Sequence, residues 1–540
     1  MGRILRASLP ILFLVLLHFL EARQIFANSQ RWNKTPGNPG VRIRLTKKGI
    51  NHLKTVAVKL FNEQIRNIRG YSSQYPFNHA GINGFVNLQN VRILHYRPPQ
   101  FSVVNFMPPR YAVFGLENMD MQLAGSFDGT APPFQVSGSV DGFIQGMTVA
   151  LTSEFSRNEA GMVTVRVSNC STIIQQSHFN IYPTGPTGGL IKAFEAQINE
   201  GIGRRIPNMF CRKLKNLIET NSPKIFARLS KTNLHESFKT PITESGLLQE
   251  FIQNFVSGLY IDNRNIADPI VTFEYFEMQM KGEVRYEDSE YSTPFFPRPM
   301  LTPESTDRML YFYGSDYLFN SLLYHAYQKN KLNMELNSDN LPERYKGFLS
   351  TACAKRKARD VVSQYCIGRL VPAIAEAFPD SNTSFVLLPH GLPDFQFNGD
   401  AGAITLSTRI ITYVDDNGFE RQIMVASADG QADLQLLAKD GKLSGDMKLN
   451  KLNVHLHRSN LPDLDPSTIE GLAPLAKNFV VPQVGQGLKR GIPFPIRDQL
   501  EFVNPTLRVD DGYVELAADF ILNEAVLKKK MAAAFTNIKI

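Results

Sequence analysis

The stretch NPGVRIRLTKKGINHLKTVAVKLFNEQIRNIRG, residues 38–70, predicts a short strand that runs directly into a long helix. Asn38-Pro39-Gly40 forms a turn signal before the strand. From residue 45 onward, apolar residues at helical spacing form one face, and Lys and Arg lie elsewhere around the helix. Because an apolar helix face must pack on another element, we expect this face to pack against a curled sheet formed by the first half of the chain.

The sequence that follows changes to a period of two. Segments such as VNLQNVRIL and MVTVRVSNC, within residues 82–170, alternate apolar and polar side chains and are separated by Gly, Pro, Asn and Asp. This pattern predicts a long antiparallel sheet with one buried face. Helical spacing returns at residues 185–219, where Pro207 is expected to kink the helix.

The same order of elements recurs in the second half of the chain. GSDYLFNSLLYHAYQ, residues 314–328, predicts a helix with Ser315 as its N-cap. Alternating segments follow at about 384–456, and Asp465-Pro466 predicts the start of another long helix. Between the halves, the four prolines of STPFFPRPMLTPEST, residues 292–306, predict a stiff extended linker. The halves share little sequence, so the repetition is one of architecture.

The first 27 residues predict a secretory signal peptide. Arg3 and Arg6 precede an apolar run too short to span a bilayer, and small residues at Ala22 and Ala27 offer two cleavage sites. We therefore expect a secreted, extracellular protein. Asn33 and Asn382 each begin an N-glycosylation sequon in polar, loop-like sequence, and both are predicted glycosylation sites.

The four cysteines of a secreted chain predict two disulfides with three possible connectivities. Cys170 ends an alternating strand, and Cys211 lies in a helical stretch. Cys353 and Cys366 are closer together in sequence, but one straight helix would hold them about 20 Å apart. They can pair only if the segment between them turns back on itself.

Charge is unevenly distributed along the chain, whose formal net charge is +8. Residues 38–240 contain 23 Lys and Arg against 11 Asp and Glu, whereas residues 241–540 contain 30 against 38. This asymmetry indicates an anionic partner for the first half, although ordinary solvated surface charge explains any single residue.

No motif for catalysis is present. The sequence lacks a G-x-S-x-G elbow, an H-E-x-x-H helix and a P-loop, and its cysteines lack zinc spacing. His455 and His457 share a strand face without a third ligand nearby. We therefore expect no enzyme activity, no metal site and no nucleic-acid partner.

Several separate stretches, in the same order, resemble one known family. The chain is similar to the lipid-binding serum glycoproteins, which include bactericidal/permeability-increasing protein, lipopolysaccharide-binding protein and related lipid-transfer proteins, over about residues 38–520. The matching stretches are NPGVRIRLTKKGI (38–50), MQMKGEVRY (278–286), PFFPRPM (294–300), DRMLYFYGSDYLFNS (307–321), VVPQVGQGLKRGIPFPI (480–496) and NPTLRVDDGYVELAADF (504–520).

The resemblance implies an α+β fold shaped as an elongated two-domain boomerang. Each domain is expected to be a highly twisted antiparallel β-sheet or barrel wrapped on long helices, and a central sheet and a Pro-rich linker join the two. The implied divisions are an N-terminal barrel domain with its share of the central sheet (38–288), the linker (289–305), a C-terminal barrel domain (306–522) and a basic tail (523–540). The tail could be an amphipathic cap over a tunnel mouth or a frayed end. The family disulfide maps onto Cys170 and Cys211, whereas Cys353 and Cys366 lie in an insertion.

The resemblance also implies an apolar tunnel in each domain that holds phospholipid or a related acyl lipid. Lipopolysaccharide-binding members carry basic residues on a hairpin tip, but the equivalent SFDGTAPPFQ, residues 126–135, has none. The expected function is therefore secreted lipid binding, with lipopolysaccharide or an anionic membrane surface as further partners, or lipid transfer without lipopolysaccharide specificity. No cofactor other than bound phospholipid is expected. Candidate tunnel residues, which could instead pack only on protein, are Leu53, Val56, Leu60, Leu190, Phe194 and Ile198 in the first domain and Phe319, Leu322, Leu323, Leu472, Leu475 and Phe479 in the second.

Overall fold

The structure is a computed structural model, and it describes most of the chain after the predicted signal peptide. The described residues are 33–65, 71–79, 82–132, 134–186, 188–193, 195–234, 247–339, 341, 346–353, 366–439, 442–462, 464–470, 472–473, 485, 488–489, 492–493 and 500–529. The predicted signal peptide, residues 1–27, and the last eleven residues of the predicted tail lie outside this set.

The described helices are α1 (Lys47–Ile65), α2 (Gly188–Ala193), α3 (Glu195–Ser230), α4 (Leu247–Val256), α5 (Tyr317–Gln328), α6 (Ile367–Leu370), α7 (Pro372–Ala377) and α8 (Pro466–Glu470). The strands before the linker are β1 (Val41–Thr46), β2 (Tyr71–His79), β3 (Ile82–Arg97), β4 (Phe101–Met107), β5 (Tyr111–Ala131), β6 (Phe134–Arg157), β7 (Val163–Ile173), β8 (Gln176–Thr184), β9 (Lys231–Asn233), β10 (Leu259–Asp262), β11 (Ile270–Val271), β12 (Tyr275–Met280) and β13 (Glu283–Tyr286). The strands after it are β14 (Leu310–Ser315), β15 (Met334–Leu336), β16 (Thr383–Pro389), β17 (Asp394–Asn398), β18 (Ala401–Asp416), β19 (Phe419–Lys439), β20 (Lys442–Ser459), β21 (Ile492–Pro493), β22 (Leu500–Asp510) and β23 (Tyr513–Leu522).

Each half of the chain forms one large antiparallel sheet. The first sheet has the order β2-β3-β5-β6-β7, with β4 paired to β5 and β8 paired to β6. The second has the order β15-β16-β18-β19-β20-β21, with β17 paired to β18. The predicted α+β class is confirmed. Within the described strands, no pairing joins the two ends of either sheet, so the sheets are open and do not close into barrels.

A third sheet joins the halves, as the resemblance implied. Its order is β11-β12-β1-β14-β23-β22, so three strands from before the linker lie beside three from after it. Strand β1 connects the strands from before and after the linker, because Val41 is paired with Met280 of β12 on one side and with Gly314 of β14 on the other. A small sheet of order β13-β10-β9 lies next to helix α5.

The long helix α3 covers the edge of the first sheet. It packs along β7, the last strand of that sheet, and the Glu219 carboxylate accepts a hydrogen bond from the Val167 backbone N–H at 2.9 Å. An edge strand leaves backbone groups unpaired, and a covering helix satisfies and protects them. The helix runs continuously through Pro207 and Pro223, so Pro207 does not end it, and the expected kink at Pro207 stays a prediction.

Two predicted helix starts have different outcomes. Helix α5 begins after Asp316, and Ser315 belongs to β14, where its hydroxyl donates to the Gly40 carbonyl. The predicted Ser315 cap is therefore wrong, because that hydroxyl completes the central sheet instead. At α8, Asp465 accepts a hydrogen bond from the Ser467 N–H at 2.9 Å, as expected of an N-cap before a first-turn proline.

Both predicted disulfides form. Cys170 of β7 is bonded to Cys211 of α3, and Cys353 is bonded to Cys366, each with its Cα atoms 5.7 Å apart. The first bond fixes α3 to the sheet edge that it covers. The second joins the two ends of the insertion, and the residues between Cys353 and Cys366 lie outside the described set.

Removing the first disulfide is expected to cost more stability than removing the second. Cys170→Ala/Cys211→Ala should lower the free energy of unfolding by about 2–4 kcal/mol, because the bond constrains a longer loop in the unfolded chain. The matched control is Cys353→Ala/Cys366→Ala, whose sequence separation is 13 residues rather than 41. Urea unfolding without reductant measures both variants, and an equal or larger loss in the control would contradict the prediction.

Candidate functional site

Helix α1 has two apolar faces rather than one. Val56 and Leu60 are buried against Phe520 and Leu522 of β23, in the central sheet, and Leu53 packs on the same cluster. The prediction from the sequence was that this face packs against the first sheet, and the structure corrects it. The difference arises because the partner strand lies more than 400 residues later in the chain, where helical periodicity carries no information about it.

The other face of α1 contacts the first sheet. Val58 and Phe61 pack on a core cluster that also contains Ile65 of the same helix. Helix α3 lies against the same cluster through Ile206, Phe210 and Leu214. These five side chains keep some accessible surface. Sequence reasoning missed them, although the four-residue spacing on α3 could have found its three.

The sheet side of this region is formed by apolar residues of different sizes, with two methionines at its centre. Met119 and Met147 are fully buried, and Phe114, Leu123 and Val140 pack around them while remaining partly accessible. Met is flexible and polarisable, so it adapts to irregular neighbours. Two helices and the sheet thus form the walls of one apolar region in the first half.

Helix α5 positions the corresponding side chains of the second half. Phe319 stacks on Phe395 of β17 with ring centroids 4.2 Å apart, and its edge meets Phe397 at 5.6 Å. Leu323, one helical turn later, packs on the same cluster. Asn320 fixes this arrangement, because its side chain accepts from the Phe395 N–H at 2.9 Å and donates to the Phe395 carbonyl at 2.8 Å. This role of Asn320 could not be predicted from the sequence.

Of the remaining predicted residues, the two with described side chains lie in separate clusters. Leu322 faces the small sheet with Leu259 and Tyr286, and Leu472 borders a separate core near Ile469. Leu190 and Ile198 lie in α2 and α3, but their side chains are outside the described set. Phe194, Leu475 and Phe479 also lie outside the described residues.

The Lys side chains of α1 are engaged within the protein. Lys48 pairs with Asp519 at 2.9 Å, Lys59 pairs with Glu524 at 2.6 Å, and Lys54 donates to the Ser102 carbonyl. The Lys59 and Glu524 side chains are both exposed, so such pairs contribute little stability. They do, however, reduce the positive charge that α1 can offer to another molecule.

The start of the predicted tail is ordered against α1. Residues 524–529 form a helical segment, whose Leu527 packs on the Val56 and Leu60 cluster. Lys528 pairs with Glu63 at 2.8 Å, and this contact lowers the pKa of the Glu63 carboxyl. The first residues of the tail are therefore docked rather than frayed.

The hairpin tip at residues 126–135 lies where β5 turns into β6, as expected. Its only charged residue, Asp128, accepts hydrogen bonds from Asn87 at 2.8 Å and Gln89 at 2.9 Å on β3. The single charge of the tip is thus bound to β3, and the tip presents no cation to a ligand.

A buried polar network joins the small sheet to α5. Glu283, fully inaccessible to solvent, accepts hydrogen bonds from His325 at 2.8 Å and from the Thr293 N–H at 3.0 Å, and it forms an ion pair with Lys281. Burial alone would raise the pKa of Glu283, but these donors outweigh burial and lower its pKa to about 2. Glu283 is therefore a carboxylate that links the two halves.

A half-open pocket lies where the linker meets α5 and β17. Phe295, Arg298, Asp316 and Gln396 are among its lining residues, and its volume is about 20 Å³. That volume has room for about one water molecule rather than an acyl chain. Burial raises the pKa of Asp316, and the ion pair with Arg298 opposes this shift.

The predicted modification sites differ in their surroundings. The Asn33 amide donates to the Thr35 carbonyl at 2.9 Å and to the Pro297 carbonyl at 2.7 Å, whereas Asn382 is exposed. Among the described residues, no three His, Cys, Asp or Glu side chains cluster as metal ligands. No described helix is long and apolar enough to cross a membrane.

Comparison with known proteins gives the family. Residues 45–221 match the N-terminal domain of the LBP / BPI / CETP family, and residues 254–522 match its C-terminal domain. The chain belongs to this family. The first matched region extends from β1 into α3, and the second ends with β23, so the two family domains meet in the central sheet.

Relatives in the LBP / BPI / CETP family are similar along most of their length. Lipopolysaccharide-binding protein of Bos taurus is 22% identical over 499 residues, covering 89% of this chain and 93% of that protein. Bactericidal permeability-increasing protein of Rattus norvegicus is 22% identical over 493 residues, with the same coverages. A crystal structure of lipopolysaccharide binding protein covers 90% of this chain and 99% of its own, at 18% identity and a TM-score of 0.48.

Proposed function

We propose that this protein is a secreted lipid-binding protein that holds phospholipid or a related acyl lipid in its apolar regions. The observation that carries the proposal is the region between α1, α3 and the first sheet. There Val58, Phe61, Phe210 and Leu214 face the core but remain partly accessible. Apolar side chains that converge without complete burial favour an apolar ligand. Membership of the LBP / BPI / CETP family supports the same conclusion.

Secretion is proposed on two grounds. The first residues have the order of a signal peptide. The two disulfides are of a kind that forms and persists in oxidising compartments. Exposed Asn382 is the better of the two proposed glycan acceptors, because both amide hydrogens of Asn33 already have acceptors.

The first sheet is proposed as the main lipid region, with the α5 region as the second. In the second half, Phe319 and Leu323 are the members of the proposed set that share one cluster. In the first half, Leu53, Val56 and Leu60 remain proposed lipid contacts only at the border, since β23 covers much of their face.

General acyl-lipid carriage is favoured over lipopolysaccharide recognition through the hairpin tip. Relatives named for lipopolysaccharide binding support that ligand as a finer proposal. Here, however, the tip carries Asp128 and no Lys or Arg. Phosphate recognition relies on charge-assisted hydrogen bonds, which this tip lacks. Binding of purified protein to lipopolysaccharide and to phospholipid vesicles, measured in parallel, separates the two ligands.

Filling the space between α1 and α3 is expected to displace lipid. Purified protein should release phospholipid on solvent extraction, and Val58→Trp should release several-fold less while its thermal unfolding stays near that of the wild type. The reason is that the larger side chain would occupy volume otherwise taken by an acyl chain. Mass spectrometry of the extract and calorimetry measure the two quantities.

The matched control is Val386→Trp, on strand β16 of the second sheet and outside this region, which should leave the extracted lipid unchanged. If the region were an ordinary core, the wild type would release no lipid. In that case Val58→Trp would instead lower stability by about 1–3 kcal/mol through overpacking, and the proposal would be abandoned.

A further inference from the structure

A third N-glycosylation sequon lies within strand β7. Its residues are Asn169, Cys170 and Ser171, which satisfy the requirement for an Asn followed two positions later by a hydroxyl residue, with no proline between them. Cys170 is also bonded to Cys211 of α3. The directions of the side chains in the strand therefore decide whether this sequon can carry a glycan beside the disulfide.

A β-bulge at Ser168 sets those directions. Val167 is paired with Ser153 of β6, but the next pair is Asn169 with Thr152, so Ser168 has no partner across the ladder. A bulge adds one residue to one strand and re-aims the side chains that follow it. Without the bulge, Asn169 would share the inner face with Val167, which is 4% exposed. With the bulge, Asn169 lies on the outer face and is exposed.

The same bulge places Cys170 on the opposite face from the two acceptor side chains. Cys170 is paired with buried Leu151 and bonded to Cys211, whereas Ser171 is exposed like Asn169. Successive strand residues point to opposite faces of a sheet. The disulfide therefore lies on the inner side of β7 and the sequon side chains on the outer side, so a glycan and the disulfide are compatible in one folded molecule.

The surroundings of Asn169 leave room for a large substituent. Its side chain forms no hydrogen bond with any residue that the structure describes, whereas both amide hydrogens of Asn33 have acceptors. Directly across the next two strands, Asn169 is followed by Thr152 and then Val113. No side chain larger than Val thus stands directly beside it on these strands. N-linked glycans are bulky and need such open surface.

The same face exposes an apolar side chain near the sequon. Ile173, the last residue of β7, is 63% exposed. It lies about 13 Å along the strand from Asn169, at about 3.3 Å per residue. An oligosaccharide on Asn169 would reach over Ile173 and solubilise this part of the sheet.

We propose that Asn169 carries an N-linked oligosaccharide. The inference rests on the proposed secretion, because the donor is a lipid diphosphate-linked oligosaccharide of the secretory pathway. The Asn169 amide nitrogen bonds to the anomeric carbon of the donor and releases one proton. The carbon–oxygen bond to the diphosphate breaks, and the lipid diphosphate leaves with the bonding electron pair. Cys211 is made 41 residues after Cys170, so the transfer can precede the disulfide in the growing chain.

The test is peptide mass spectrometry of the full chain, produced in cultured insect cells and purified from the medium and from the cells. After reduction and trypsin, Asn169 lies in the peptide 167–192, which contains no other sequon. This peptide should carry the mass of an oligosaccharide. Treatment with a peptide N-glycosidase should remove that mass and convert Asn169 to Asp. An unmodified peptide in both fractions would overturn the proposal.

Three variants separate the sequon from the rest of the surface. Ser171→Ala removes the hydroxyl but keeps Asn169, and it should lose the glycan, whereas Ser171→Thr should keep it. The matched control is Asn105→Gln, since Asn105 is exposed in the same cross-strand row as Asn169 but begins no sequon. Its electrophoretic mobility should equal that of the wild type. A glycan retained by Ser171→Ala would contradict the assignment.

Omitting the reduction tests whether the glycan and the disulfide coexist. The glycosylated peptide 167–192 should then remain linked to the peptide 206–212, which contains Cys211. A glycan present only on chains with a free Cys170 thiol would show that the two modifications compete. That outcome would overturn the inference drawn from the bulge.

This proposal and the proposed function fail in different ways. Because Asn169 lies on the outer face, Ser171→Ala should release as much phospholipid on extraction as the wild type. If Asn382 carries a glycan and Asn169 does not, secretion stands and the Asn169 assignment is wrong. If Asn169 is glycosylated but no lipid can be extracted, the glycan stands and the lipid-holding function is wrong.

Discussion

Replacing Arg44 with Met is expected to lower the free energy of unfolding by about 3–5 kcal/mol, because it removes the nearest cationic partner of the buried Glu277 carboxylate and leaves only the more distant contact with Arg42, at 3.9 Å. Arg44 and Glu277 are each only 2% exposed. The Arg44 Nε donates to a Glu277 carboxylate oxygen at 2.9 Å, and its guanidinium also donates to the Pro303 carbonyl at 2.7 Å. The guanidinium lies over the Tyr275 ring, 4.3 Å from its centre. Arg44 of β1 thus contacts both β12, through Glu277, and the linker, through Pro303.

A double-mutant cycle tests this interaction. Glu277→Gln should also be strongly destabilising, and Arg44→Met/Glu277→Leu should cost less than the two single losses combined, because no buried charge remains unpaired. Urea unfolding followed by circular dichroism provides the values. Lys47→Met is the exposed control, since Lys47 and Glu274 are 4.0 Å apart in solvent and should contribute less than about 1 kcal/mol. Additive losses in the cycle would contradict the interaction.

Replacing Glu283 with Gln is the second change expected to have a large effect, again about 3–5 kcal/mol at neutral pH. The substitution removes the charge that His325 and Lys281 face, so Lys281 would remain partly buried with one partner fewer. Because α5 contributes His325, the contact between the two halves should loosen first. Calorimetry is expected to show a lower and broader transition. Asp288→Asn, in an exposed pair with Lys329, is the control and should change little.

The same carboxylate predicts a dependence on pH. The pKa of Glu283 in the folded protein is about 2, against an ordinary value of 4.5. Its contribution is therefore fully present above about pH 4.5 and is lost as the pH falls towards 2. The wild type should lose stability through this window more steeply than Glu283→Gln. Parallel curves for the two proteins would show that Glu283 does not carry the effect.

Local structure was predictable from the sequence where one face of an element is buried. The alternation in MVTVRVSNC predicts β7, and the capping pattern at Asp465-Pro466 predicts the start of α8, because each depends only on neighbouring residues. Family resemblance added the central sheet and the pairing of Cys170 with Cys211. Pairing between distant strands has no local pattern to indicate it.

Elements buried on more than one side were the ones misjudged. The alternation in VRIRLT is typical of a strand with one solvent-exposed face. Arg44 is nevertheless buried, because the linker covers that face of the central sheet. Buried Arg and Glu are rare, so neither Arg44 nor Glu283 stood out. Similarly, α1 packs on two sheets, and periodicity alone could not show which face met which partner.

The charge asymmetry between the two halves is visible in the sequence, but the ion pairs that reduce it are not. Several cations of the basic first half pair with carboxylates of the acidic second half, including Lys48 with Asp519 and Lys59 with Glu524. Part of the asymmetry is thus satisfied within the molecule. Which cations find such partners depends on neighbours in three dimensions, so it could not be predicted from the sequence.

The position of β1 between β12 and β14 has a consequence for the protein's synthesis on the ribosome. Chains emerge from the N-terminus and begin to fold as they appear. One edge of β1 can be covered once β12 has emerged, but the other edge remains open until β14 follows, and Val56 and Leu60 remain uncovered until Phe520 and Leu522 are made. An open edge beside an apolar face invites pairing between copies. The nascent chain must therefore be shielded from its neighbours until almost the last residue has been added.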